Sequence, residues 1–111
     1  MQVEAKKIQE ILMVKVLAPR LDAREAVDFK TQMVECISSG QHTIVLNLAE
    51  VRFIDSSGLG AIVSTLKLLG REGNLVLCGV TDPVMSLFKL TRMDRVFQMF
   101  TSESDALAAL A

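Results

Sequence analysis

The sequence predicts an α/β fold in which a single-layer mixed β-sheet of four to five strands packs with about four helices. Three observations predict it. Two mostly apolar runs, Thr43 to Leu48, which is rich in β-branched residues, and Asn74 to Cys78, have the length and composition of buried strands, the first covered on both faces. Segments with apolar residues at helical spacing stand between and after those runs, so parallel pairing with right-handed crossovers is expected. Two further strand-like runs lie close together near the N-terminus, and a hairpin made from them would make the sheet mixed. A length of 111 residues fits one domain, residues 1–111.

Taken in order, Val3 to Lys7 is a weak strand and Ile11 to Leu17 a stronger one, with a turn near Gln9 and Glu10. Pro19 ends regular pairing, because proline has no N–H to give a ladder. Asp22 is a good N-cap for a helix over Ala23 to Ser38. Ala26, Phe29, Met33, Cys36 and Ile37 share one face of that helix, and Gly40 closes it. After the strand Thr43 to Leu48, a second helix has a buried stripe of Leu59, Ile62, Val63, Leu66 and Leu69, ended by Gly70 and Gly73. The strand Asn74 to Cys78 leads through a turn, Gly79 to Asp82, to a third helix over Val84 to Leu90, with Pro83 at its first position. Val96 and Phe97 fit a short last strand or a packed loop. Thr101 or Ser102 would cap a final helix carrying Leu107 and Leu110.

Composition narrows the function. Half of the residues are hydrophobic, which supports a core. Twelve basic and thirteen acidic side chains give a net charge of −1, with no general attraction to nucleic acid or an anionic membrane. Five phenylalanines, without Trp or Tyr, offer little for base stacking. No uncharged apolar run reaches the length of a membrane span, and Glu4, Lys6, Lys7 and Glu10 do not suit a signal peptide. Cys36 and Cys78 lie far apart in apolar contexts and read as buried free thiols. No metal site, disulfide or cofactor is expected from two cysteines and one histidine. The cytoplasm is the expected compartment.

The most informative stretch is Phe53-Ile54-Asp55-Ser56-Ser57-Gly58-Leu59-Gly60. It places an acid, two hydroxyls and two glycines where a strand passes into a helix. Helix N-termini carry unpaired N–H groups and partial positive charge, so they accept small oxygen-bearing residues and tolerate a phosphate. The octet could be a helix cap alone, with Gly58 and Gly60 allowing close packing on the sheet. Gly58-Leu59-Gly60 opens like a dinucleotide fingerprint, but Val63 takes the third glycine position. No Gly-Lys-Ser/Thr follows, which removes a P-loop. The serines precede the glycines, unlike a nucleophile elbow, and His42 lies at the other end of the preceding strand. What chemistry remains is acceptance of a phosphate from another protein. That would add about −1.5 to −2 charge at pH 7 to a docking face.

These residues resemble the STAS domains, and among them the bacterial anti-sigma-factor antagonists. The likeness rests on Val45-Leu46-Asn47-Leu48, then Val51, Phe53, Ile54 and Asp55-Ser56-Ser57-Gly58-Leu59-Gly60. A second matching stretch is Gly73-Asn74-Leu75-Val76-Leu77-Cys78-Gly79-Val80, with Pro83-Val84 and Leu87-Phe88. The resemblance implies a non-enzymatic switch in transcription regulation or other signal transduction. Its phosphoacceptor would be Ser56, with Ser57 in reserve. An anti-sigma factor or related serine protein kinase would phosphorylate it, and a PP2C-type phosphatase would reverse the step. The unphosphorylated form would bind and sequester the kinase through Asp22, Asp55, Ser56, Ser57, Gly58, Leu59 and Gly60. Arg20 stands where the family often has an acid, which bears on partner identity. Two alternatives are a constitutive STAS scaffold subunit of a larger complex, for example in lipid transport, and a nucleotide-binding STAS domain. For the last, Arg52 is the one cation the sequence sets at the octet.

Overall fold

The computed structural model describes residues 1–110. Strands β1 (Val3–Ile8) and β2 (Ile11–Val16) form an antiparallel hairpin whose register, Val3 opposite Val16 and Ile8 opposite Ile11, leaves a two-residue turn. Gln9 in that turn takes φ 56°, a left-handed conformation. β1 is exposed along most of its length, which is why its apolar signal is weak.

A two-residue strand, β3 (Arg20–Leu21), precedes helix α1 (Ala23–Ser38). Strand β4 (Thr43–Asn47) is followed by a second two-residue strand, β5 (Phe53–Ile54), and by helix α2 (Ser56–Leu69). Then come β6 (Asn74–Cys78), α3 (Asp82–Leu90), a 3-10 turn (Met93–Arg95), β7 (Met99–Phe100) and α4 (Glu103–Leu110). The main sheet has the order β1-β2-β4-β6-β7, and every pairing in it except the hairpin is parallel. The expected mixed sheet of up to five strands, with four helices, is therefore present.

Alternation along the central strands divides the core. Leu12, Val14, Ile44, Leu46, Leu75 and Leu77 face a large cluster with Phe29 and Met33 of α1, Ile62 and Leu69 of α2, and Val84 and Phe88 of α3. Ile11, Met13, Val45, Val76 and Cys78 face a smaller cluster covered by Ala106 of α4. Phe88 and Phe97 meet edge to face, with centroids 5.9 Å apart. Asn47, buried at the end of β4, accepts from the Ala49 N–H at 2.9 Å and donates to Glu103 at 2.9 Å, tying β4 to α4.

Of the two readings of Val96 and Phe97, the packed loop holds, with Phe97 drawn into the core against Phe88, and the last strand is Met99–Phe100. Three expectations change. Helix α3 starts at Asp82, so Pro83 is its second residue. Helix α2 ends at Gly70 (φ 69°); a Cβ on Gly73 would lie 2.6 Å from that of Leu69, so Gly73 serves close approach. Cys36 is half-buried, whereas Cys78 is buried as expected.

Candidate functional site

The octet follows the end of β4 at one pole of the sheet. β5 pairs in parallel with β3, Arg20 with Phe53 and Leu21 with Ile54. The Pro19 carbonyl extends this contact by accepting from the Arg52 N–H at 2.8 Å and the Phe53 N–H at 3.1 Å. Two segments more than thirty residues apart thus meet, and each leads straight into a helix. The N-termini of α1 and α2 converge for that reason.

Both helices are capped by aspartates. Asp22 accepts from the N–H groups of Arg24 at 3.2 Å and Glu25 at 3.4 Å. Its other oxygen accepts from Arg20 Nε at 3.4 Å. Burial works against the charge, but the Glu25 N–H, the Arg20 side chain and the Arg24 N–H hold its carboxyl below the usual carboxylate range. Asp55 caps α2 by accepting from the Gly58 N–H at 2.9 Å. Its second oxygen accepts from the Ala23 N–H, in the first turn of α1, at 3.2 Å. One carboxylate therefore pins two helix N-termini. Its reach across 32 positions of sequence left no local signal.

With Asp55 as cap, helix α2 begins at Ser56, three residues before its apolar stripe. Ser56 and Ser57 occupy its first turn and are exposed. Gly58 and Leu59 are buried beneath them. A Cβ on Gly58 would overlap the Leu21 carbonyl oxygen and lie 2.9 Å from Ile54 Cγ1. Gly58 thus lets α2 press onto β3. Gly60 has no such role: it is exposed, and a Cβ there would meet nothing within 4 Å. The expectation that both glycines serve packing holds for Gly58 alone.

The structure adds a cation that the sequence did not place there. The β3–β5 pairing sets the Arg20 guanidinium 4.2 Å from the Phe53 ring centroid, a cation–π contact on a half-open ring. Arg20 is thereby fixed beside the octet by Phe53 and Asp22. The sole histidine, His42, is exposed at the far end of β4. The site holds no triad geometry, and no group of three or more His, Cys, Asp or Glu suited to a metal occurs among the described residues. No described helix is long and apolar enough to cross a membrane. The arrangement offers an exposed hydroxyl at a rigid, doubly capped helix junction.

The family model described as STAS domain matches residues 2–106. An anti-sigma F factor antagonist of Paenibacillus polymyxa is 32% identical over 112 residues, covering 99% of this chain and 95% of that protein. Among solved structures, an anti-sigma-factor antagonist (STAS) domain protein from Planctomyces limnophilus superposes with a TM-score of 0.88 at 19% identity, covering 98% of this chain and 97% of the other. The Bacillus cell fate determinant SpoIIAA in the phosphorylated form gives a TM-score of 0.76 at 18% identity, covering 99% and 100%. At those identities the structural matches establish the fold.

Proposed function

The chain belongs to the STAS domain family, and on that premise we propose that it is a phosphorylation-controlled binding switch of the anti-sigma-factor-antagonist type. Ser56 is the acceptor and Ser57 the reserve. The unphosphorylated chain binds and sequesters an anti-sigma factor or related serine protein kinase. Phosphorylation of Ser56 releases that partner, and a PP2C-type phosphatase resets the switch. In the forward step the Ser56 oxygen attacks the γ-phosphorus of ATP, ADP leaves, and the hydroxyl proton passes to a base of the kinase.

One observation carries this reading: Ser56 is exposed in the first turn of α2, directly after the carboxylate that pins α1 and α2 together. The partner's contact surface comprises Asp22, Asp55, Ser56, Ser57 and Gly60, shaped from beneath by Gly58 and Leu59. A phosphate at Ser56 meets the free N–H groups and positive end of α2, which favour it. The fold therefore tolerates the new charge, and the docking face does not. A penalty of about 2.8 kcal/mol on the complex weakens it about a hundredfold. The name of the Paenibacillus relative and the phosphorylated state of the similarly folded SpoIIAA support the assignment.

Intact-mass measurement on the full chain from its native host tests it. The expected result is a population bearing one phosphate, removed by a PP2C-type phosphatase and lost in Ser56→Ala, which still binds the partner. Ser56→Asp binds more weakly. Undiminished phosphate on Ser56→Ala, or equal binding by the two variants, would sink the assignment. A chain never phosphorylated in the host would favour a constitutive scaffold.

A further inference from the structure

We propose that the groove between α1 and α2 receives an amphipathic helix of about three turns, carried by the partner protein and flanked by acidic residues. The proposal deepens the switch reading by naming what the partner presents, and it rests on that reading for the partner's identity. Two concavities between the helices, and a third on the adjoining face of α1, share Lys30 and run from Ser57 and Gly60 at the octet end to Val34 and Leu68. From Ala23 to Val34 the α1 wall is twelve residues long, about 17 Å over eleven rises of 1.5 Å. That matches three helical turns.

Four features select the occupant. Val27, Val34 and Leu68 are 71%, 40% and 48% exposed, so three of the six exposed large hydrophobics among the described residues line this one groove. Both walls are helices whose backbone groups are internally bonded, so a docked strand would find no ladder. A docked helix can lay its side-chain ridge between them. Lys30 and Lys67 supply two cations against one acid, Glu35 at the far edge. An acidic helix complements that balance, and a second copy of this face would repel it. Gly60 is the fourth. A glycine inside a helix costs stability relative to alanine, and no neighbour within this chain requires it. Its missing side chain leaves a notch at the head of the groove, where a backbone can approach closely.

The test titrates the isotope-labelled full chain by amide NMR with two synthetic three-turn peptides. Both carry leucines on one helical stripe; one is flanked by glutamates and the other by lysines. Saturable shifts at Val27, Lys30, Val34, Gly60, Ser64 and Leu68 are expected with the glutamate peptide, and at least tenfold weaker binding with the lysine peptide. Val34→Glu should abolish the shifts without lowering the thermal midpoint. Lys30→Glu combined with Lys67→Glu should invert the peptide preference. Absent saturation, equal binding of both peptides, or shifts that follow protein concentration without peptide would overturn the proposal, the last in favour of self-association. The measurement needs neither kinase nor phosphate. A chain that binds the peptide but is never phosphorylated refutes the switch alone, and the reverse outcome refutes the groove alone.

Discussion

Replacing Gly58 by alanine sets two opposed effects against each other. Alanine favours helix over glycine by about 1 kcal/mol. The new methyl, however, would overlap the Leu21 carbonyl oxygen, lie 3.0 Å from the carbonyl carbon and 2.9 Å from Ile54 Cγ1. The backbone of β3 cannot rotate aside as a flexible side chain would, so α2 must retreat. Overpacking of this kind costs about 1–3 kcal/mol, occasionally more. Retreat also stretches the cap from Asp55 to the Gly58 N–H, 2.9 Å long and worth about 1 kcal/mol. The clash therefore outweighs the propensity gain, and Gly58→Ala should destabilise by about 1–3 kcal/mol. Gly60→Ala provides the internal control. It meets nothing within 4 Å, so it should stabilise by up to about 1 kcal/mol while filling the notch proposed for a partner's backbone. Urea unfolding followed by circular dichroism gives both values. Two substitutions shifting in the same direction, or Gly58→Ala matching the wild type, would refute the packing argument.

Asp55→Asn keeps one capping oxygen but can turn an amide donor toward the Ala23 N–H, so about 1–2 kcal/mol should be lost in urea unfolding. Burial, with Glu103 nearby, pushes the Cys78 thiol from an ordinary 9.0 up to about 11. The folded chain then holds that proton more tightly than the unfolded one. The contribution is complete below pH 9 and is lost as pH rises toward 11, an upper bound of about 2–3 kcal/mol visible as an alkaline slope in stability that Cys78→Ala removes. A thiol-specific reagent should modify Cys36 in the native protein before Cys78, which reacts on unfolding. For Asp22 the sign is opposite. Burial resists its charge, yet the Glu25 N–H, Arg20 and the Arg24 N–H lower its pKa below 3.8. Its contribution holds above that value and disappears as pH falls further, so Asp22→Asn should flatten the acid edge of the stability profile.

Periodicity carried most of the architecture. Apolar runs and helical stripes marked β2, β4, β6, α1 and α2, since nearly every strand position and three of the five stripe positions in each helix are buried, with Cys36, Ile37, Val63 and Leu66 partly so. β3 and β5 escaped because two residues display no period, and their pairing joins Arg20 to Phe53 across the chain. That omission hid the placement of Arg20 on the Phe53 ring and the second bond of Asp55. Asp22 as a cap was legible because capping is local. The different duties of Gly58 and Gly60 were not, since both look alike until Leu21 is seen against one of them. Thr65 is completely buried in a helix interior, satisfied by the Ala61 carbonyl at 2.9 Å. Its polarity kept it out of the expected stripe.

The two faces of the sheet are unequally defended. Three helices cover one, whereas the other relies on the eight residues of α4, with Ala106 buried, Leu107 and Leu110 partly so, and one hydrogen bond from Asn47 to Glu103. So small a cover should detach at a free energy well below that of global unfolding. Amides of α4 should then lose hydrogen-exchange protection first. Each such excursion uncovers Met13, Val45, Val76 and Cys78, a flat apolar strip on the sheet face opposite α2. That strip, rather than the proposed docking face, is where proteolytic nicking and sticking between molecules would begin.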